Sequence, residues 1–193
     1  MPLAFMDFTR LFEILEYQNR RYPQPTALAG RNNGVWQTWS TADALTERDR
    51  LSTGLLHLGL QKGDRVGILA HCGSPRWAIA DAAMLQIGLV PVPIHTTART
   101  DEMTEIARDA DLRACWLSNV NMLEKLRAAD ISPKFLLGFE AMVGVHAWAD
   151  LLREPDASEL AQLQSLRDSI GADDLATLLY TSGTTGQPKG VML

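Results

Sequence analysis

Four hydroxyl residues, three glycines and one lysine fall within ten positions of this 193-residue chain: Thr181, Ser182, Gly183, Thr184, Thr185, Gly186, Lys189 and Gly190. Hydroxyls donate hydrogen bonds to phosphate oxygens, and a lysine ammonium adds a compact point charge. Glycine lets the backbone turn through positive φ and approach a ligand closely. Successive N–H groups in such a turn converge into an anion-binding nest. Pro188 stiffens the backbone just ahead of Lys189. The guest that suits this combination is a polyphosphate. The spacing is not that of a Walker loop, G-x-x-x-x-G-K-[ST]. Counting from Gly183, the second glycine would fall on Pro188, and Lys189 is followed by Gly190 rather than Ser or Thr. A ligand-free two-residue hairpin needs far less glycine and no cluster of hydroxyls.

The elements that must hold this loop are legible around it. Leu178-Leu179-Tyr180 runs into it and Val191-Met192-Leu193 runs out, so residues 175–193 read as strand, loop and strand. Upstream, Asp7 caps a first helix with Phe8, Leu11, Phe12 and Leu15 on one face, ended by Tyr22-Pro23-Gln24-Pro25. Residues 26–29 and 35–39 read as short strands around the turn signal Asn32-Asn33-Gly34, with Trp36 and Trp39 as packing residues. Ser40 or Thr41 starts a long amphipathic helix with Ala44, Leu51, Leu55 and Leu58 on one stripe, closed by Gly59 and Gly63. A strand over 65–70 is followed by Ser74-Pro75, an N-cap with proline at the first helical position. That helix turns Trp77, Ala80, Met84 and Ile87 inward, stops at Gly88, and gives way to a strand over 89–94. Strand, helix and strand at this spacing form a βαβ unit with parallel strands. The alternation continues. Thr100 caps a helix with Asp101 and Glu102 in its first turn and Met103, Ile106, Ala107 and Ala110 inward. A strand over 113–117, a helix over 119–129 and a strand over 134–139 follow. The pattern predicts an α/β fold, a parallel-rich sheet flanked by helices. Residues 1–153 form this scaffold. Residues 154–174, rich in charge and serine with weak helical spacing at Leu160, Leu163 and Leu166, read as a partly helical surface connection.

Composition bounds the function. The chain is 46% hydrophobic and 21% charged, ordinary values for one globular domain with a real core. A net charge of −5 without a Lys/Arg run argues against a general nucleic-acid binder. Cys72 and Cys115 lie far apart, without a C-x-x-C partner or metal-ligand spacing, and read as reduced buried thiols of a cytoplasmic protein. The first residues lack the basic n-region of a signal peptide. The apolar stretch over 78–94 is interrupted by Asp81, Gln86, Pro91 and Pro93, so it reads as buried helix plus strand rather than a membrane span. His71-Cys72 follows a strand, where α/β sheets place ligands, but a polar turn and a small core thiol explain it as well. His95 reads as a loop residue, and His57 and His146 lack nearby partners in sequence. Asp173-Asp174 and the acidic positions over 101–111 read as helix-end or solvated charges.

Residues 180–190, Y-T-S-G-T-T-G-Q-P-K-G, resemble the signature loop of the adenylate-forming superfamily, which includes acyl-CoA synthetases, luciferases and the adenylation domains of peptide synthetases. Trp36 through Leu60 with Gly63-Asp64-Arg65-Val66, and Gly88-Leu89-Val90-Pro91-Val92-Pro93-Ile94, are similar to that family's opening and second core motif. Residues 8–193 thus follow its N-terminal layout. Pro93-Ile94-His95-Thr96-Thr97 is similar to the long-chain acyl-CoA synthetase branch. The resemblance implies that Thr181, Ser182, Gly183, Thr184, Thr185, Gly186 and Lys189 hold the β- and γ-phosphates of ATP, with the Thr184 hydroxyl near Mg²⁺. It implies carboxylate activation through an acyl-adenylate, then thioester formation with coenzyme A, on a cytoplasmic enzyme that can touch a membrane surface. A fatty acid is the expected substrate, with an aryl or amino acid as the alternative. A nucleotide-binding module without catalysis is an alternative from another class. The resemblance also implies that this is an incomplete N-terminal domain. The family's catalytic lysine, magnesium-binding glutamate and adenine contacts would lie beyond residue 193, leaving the last strand short of neighbours and its edge frayed.

Overall fold

The computed structural model describes residues 8–32, 34–71, 73–182 and 187–193, with the backbone alone for Asn32 and Ser182. A 3₁₀ turn, Leu11–Glu13, leads into α1 (Ile14–Arg21). Asp7, expected to cap this helix, lies outside the described residues. Of the expected inward face, Phe12 is buried but Leu11 is 53% exposed, because the 3₁₀ turn rotates the chain ahead of the helix. Next come β1 (Leu28–Asn32) and β2 (Val35–Trp39), an antiparallel ribbon. The register Asn32↔Val35 places β1 two residues later than expected, since a tight turn fixes which residues face one another. Trp39 packs on the core and its Nε1 donates to Glu47 Oε2 at 2.6 Å. Trp36 is a correction: it is 66% exposed, because the ribbon has no layer over that face.

The helix α2 (Thr41–His57) starts at Ser40, whose Oγ accepts from the Asp43 N–H at 3.0 Å while its own N–H donates to Asp43 Oδ2. This is a reciprocal cap that satisfies two otherwise orphaned donors. It leads to β3 (Arg65–Leu69), α3 (Pro75–Gln86) and β4 (Val90–Pro93). Gly88 ends α3 with φ +72°, a backbone state that side chains with a Cβ rarely adopt. Then follow α4 (Thr100–Asp109), β5 (Ala114–Leu117), α5 (Val120–Ala128) and β6 (Phe135–Gly138). The N-cap of α4 is Arg99, not Thr100. The Arg99 N–H donates to Glu102 Oε2 at 2.9 Å, so the glutamate satisfies the end of the helix without a hydroxyl cap.

The sheet order is β4-β3-β5-β6-β7, every pair parallel, with β7 the two-residue strand His146–Ala147. This is the α/β fold expected, a five-stranded parallel sheet flanked by helices. Both faces are buried, as a parallel sheet requires. Val66, Ile68, Ala114 and Trp116 turn to one core, built with α2, α3 and the short α6 (Trp148–Leu151). Leu69, Cys115 and Leu117 turn to the other, built with α4 and α5. Residues 154–174, expected as surface connection, carry α7 (Ala157–Asp168), capped by Asp156 and docked through buried Leu163. Arg167 in α7 reaches Glu16 of α1 at 2.5 Å, and the same carboxylate meets the Arg48 guanidinium of α2 at 2.9 Å.

Cys115 is fully buried and free, and burial pushes its thiol up to about 12. Cys72 lies outside the described residues. Among the described residues no helix is long and apolar enough to cross a membrane.

Candidate functional site

Of the residues expected to grip phosphate, Thr181, Ser182 and Lys189 sit on an antiparallel hairpin, β8 (Leu178–Ser182) and β9 (Pro188–Met192). Its register sets Thr181 opposite Lys189 and Ser182 opposite Pro188. At the open end, Thr177 and Leu193 exchange both N–H···O bonds, at 3.2 and 3.1 Å. Antiparallel pairs alternate between hydrogen-bonded and non-bonded. The Thr181–Lys189 pair is therefore a bonded one, and Tyr180–Gly190 is one of the non-bonded pairs, whose side chains stand closest. Thr181 and Lys189 share one face of the hairpin, both exposed. The structure thus brings a hydroxyl and an ammonium together at the neck of the loop. Gly183, Thr184, Thr185 and Gly186 lie outside the described residues, as does the Ser182 side chain. Among the described residues no group of three or more His, Cys, Asp and Glu could hold a metal ion.

Sequence reasoning missed how the hairpin is held. Leu178 and Tyr180 pack against the core beneath α4 and α5. The Thr177 hydroxyl donates to the Pro91 carbonyl at 2.8 Å, tying the start of β8 to β4. The Tyr180 hydroxyl donates to Asp109 Oδ2 at 2.5 Å. Burial, then this hydrogen bond, pushes the Tyr180 phenol upward, so it remains a proton donor. Asp174, expected as a solvated charge, accepts from Lys62 Nζ at 2.7 Å and from the Gly171 N–H at 3.1 Å. Those contacts, the lysine first, hold its carboxyl below the usual range. Lys62 also donates to the Ser169 carbonyl at 2.7 Å, so one side chain pins both ends of the segment that leads into β8. These partners lie tens of positions away in sequence, where no local signal links them.

Gly190 lets the Tyr180 ring lie close, and any larger residue would push the ring aside by a few tenths of an ångström. A Cβ there would stand 3.1 Å from Cζ of the Tyr180 ring. The ring covers the position directly across the strand, as the non-bonded pairing dictates.

Two cavities flank the sheet. One, of about 520 Å³, lies beside the amino ends of β3 and β4, bordered by Phe12, Lys62, Leu89, Leu175 and Leu193. The other, of about 320 Å³, lies at the carboxyl ends of β3, β5 and β6, bordered by His71, Ser74, Arg76, Ser118 and Glu140. His71 is exposed at its edge, and His57, His95 and His146 are exposed elsewhere.

Known proteins match this arrangement. The long-chain-fatty-acid–CoA ligase FadD15 of Mycobacterium bovis is 34% identical over 165 residues, covering 83% of this chain and 27% of that protein. The long-chain-fatty-acid–CoA ligase ACSBG2 of Xenopus laevis is 28% identical over 191 residues, covering 95% and 26%. The chain spans about a quarter of the length of these curated relatives. Among solved structures, a benzoate CoA ligase from Burkholderia xenovorans superposes with a TM-score of 0.73 at 19% identity, covering 95% of this chain and 34% of that one. A fatty acyl-adenylate ligase from L. pneumophila superposes with a TM-score of 0.68 at 21% identity, covering 97% and 30%. At such identities the likeness speaks for the fold. The sequence pattern of the AMP-binding enzymes matches residues 15–193, scaffold and hairpin together, and the chain belongs to that family.

Proposed function

We propose that this chain is the ATP-phosphate-binding part of a fatty acid–CoA ligase, an incomplete N-terminal domain whose residues 175–193 form the phosphate-gripping signature. In the whole enzyme a fatty acid carboxylate oxygen attacks the α-phosphorus of ATP, and the bond to pyrophosphate breaks. The coenzyme A thiol then attacks the acyl carbon, and the bond to AMP breaks. Negative charge gathers on the departing pyrophosphate, so the first step needs cations and N–H donors fixed in place before it begins. The Lys189 ammonium and the hydroxyls of Thr181, Ser182, Thr184 and Thr185 supply them, with Gly183 and Gly186 bringing backbone N–H groups close. A threonine hydroxyl is a neutral hard oxygen donor that suits Mg²⁺ beside phosphate oxygens. Thr184 would hold the ion, which neutralises triphosphate charge when bound.

The observation that carries this reading is the facing pair Thr181 and Lys189 at the neck of an eleven-residue signature. The similarity to long-chain-fatty-acid–CoA ligases supports the fatty acid as substrate. The chain spans about a quarter of those relatives, which supports a phosphate-binding part that does not complete the reaction alone. The 193-residue chain is expected to bind magnesium pyrophosphate by calorimetry, with Lys189→Ala weakening it about tenfold, the size of one charge-assisted contact. The same chain is expected to release no pyrophosphate from ATP and palmitate. Absence of pyrophosphate binding would overturn the phosphate-gripping reading, and pyrophosphate release would overturn the assignment of the chain as a non-autonomous part.

A further inference from the structure

We propose that Tyr180 and Asp109 form a latch that positions the phosphate-binding face of the β8–β9 hairpin, with both residues acting through Thr181 and Lys189 rather than on the ligand. The proposal rests on the phosphate-binding reading above.

No strand of the five-stranded sheet pairs with the hairpin among the described residues. Every residue of β9 after Pro188 is exposed, and β9 pairs with β8 alone among the described residues. β8 runs beside β4 and β9 beside α4, so side chains rather than strand pairing must fix the hairpin on the scaffold. Side chains alternate across a strand with a period of two. Leu178 and Tyr180 take the inner face and pack toward α4 and α5, so Thr181 must take the outer one. Lys189, directly opposite Thr181, shares that outer face. Whatever fixes Tyr180 inward therefore fixes Thr181 and Lys189 outward. The phenol hydroxyl is fixed by Asp109, the last residue of α4, through the 2.5 Å bond to Oδ2. Its ring is fixed by Gly190, which leaves room for it across the ladder. One side chain thus ties both strands of the hairpin to a helix of the scaffold. It does so one residue before the first hydroxyl of the loop. A hydrogen bond from a phenol to a carboxylate is charge-assisted and about twice as strong as a neutral one, which suits a single attachment at the end of a lever.

The test reads the hairpin and the ligand separately, in the full chain. Amide exchange at Leu179 and Val191 reports the hairpin, exchange at Val66 and Cys115 reports the scaffold, and a calorimetric titration with magnesium pyrophosphate reports the site. Loss of one charge-assisted hydrogen bond is expected to accelerate hairpin exchange and weaken pyrophosphate binding, each about tenfold, in Tyr180→Phe and in Asp109→Ala. The scaffold amides should not change in either variant. The double variant should lose no more than either single one, because the two groups act as one contact. Asp109→Asn keeps an acceptor oxygen without the charge and should recover part of both signals. A general loss of stability would instead move the scaffold amides and would not be rescued by asparagine. Hairpin exchange and pyrophosphate binding that match the unaltered chain in Tyr180→Phe and Asp109→Ala overturn the latch. If the unaltered chain fails to bind pyrophosphate, the phosphate-binding reading falls. The exchange data then decide by themselves whether the latch holds the hairpin.

Discussion

Asp81 shows how far a single side chain can depart from what its sequence neighbours suggest. In the sequence it breaks an apolar stretch and argues against a membrane span. In the structure it lies on α3, and burial pushes its carboxyl up from 3.8 to about 6. A carboxylate raised on folding binds its proton more tightly in the native state, so stability is greatest below the unfolded value and falls as pH rises toward 6. The shift sets an upper bound of about 3 kcal/mol, and the solvent access that remains brings the expected cost nearer to about 1 kcal/mol. Asp81→Asn should therefore be more stable than the parent chain at pH 7.5 and no more stable at pH 3.5. Urea titrations at the two values check it, and a gain that is equal at both would show that the charge is not the cause. The same contrast marks the site residues. The identities and spacing of Thr181 and Lys189 carry the proposed phosphate-binding role in the sequence itself, because that chemistry is local. Their support by Asp109, Lys62 and Pro91 is not legible, because it depends on which helices and strands meet.

Elements were legible where local chemistry and burial agree. The Ser40–Asp43 cap, the Ser74-Pro75 start and the Gly88 stop all sit where their residue types require, and the βαβ pairing follows from them. Two elements escaped. His146–Ala147 is too short to show any period, and α6, at four residues, shows only its buried Trp148 and Leu151. The helix α7 was only partly legible, since one buried leucine among polar residues gives little amphipathic signal. Besides Leu163, its anchor is electrostatic. The Arg48 side chain, 2% exposed, donates to Glu16 and to the Phe12 carbonyl and pairs with Asp49 at 2.8 Å. Glu16 in turn holds Arg167 of α7, which donates to buried Gln86 of α3 at 3.1 Å. Four helices thus meet on one ionic cluster. Breaking a buried pair from one side costs about 3–5 kcal/mol, and here Glu16 keeps Arg167 and Asp49 reaches solvent, which places the cost at the lower end. Arg48→Ala is expected to destabilise the chain by about 3 kcal/mol on this basis, measured by denaturant unfolding. Arg48→Lys, a point charge without the planar fork, should recover only part of that. A loss below about 1 kcal/mol would mean that the cluster behaves like a surface ion pair.

At the scale of the whole molecule, pairing is distributed unevenly, and the proposed phosphate loop is carried by a hairpin outside the five-stranded sheet. The strands β3 and β5 are paired on both sides and covered on both faces. Their amides can exchange only when most of the fold opens. The hairpin is a two-stranded ladder that pairs with no further strand among the described residues, and ladders of that size are marginal without support. Val191, Met192 and Leu193 are 43%, 74% and 60% exposed, so little apolar burial resists their separation. The fraying expected from sequence is sharpened by the register into a residue-by-residue pattern. Val191 is opposite Leu179 in a hydrogen-bonded pair, whereas Met192 is opposite Leu178 in a non-bonded pair that turns its N–H to the outer edge. Amide exchange in the 193-residue chain should therefore rank Met192 fastest, Val191 intermediate and Val66 and Cys115 slowest, with the slowest rates tracking global unfolding. Protection of Met192 equal to that of Val66 would require a neighbouring strand along the outer edge of β9, supplied by further chain or by a second molecule. Repeating the measurement across a concentration series separates those two sources, because only the second depends on protein concentration. A site built on a hairpin of this kind holds its ligand only as firmly as the scaffold holds the hairpin, so the rate at which β8 and β9 open sets the ceiling on how well the loop can be preorganised around a polyphosphate.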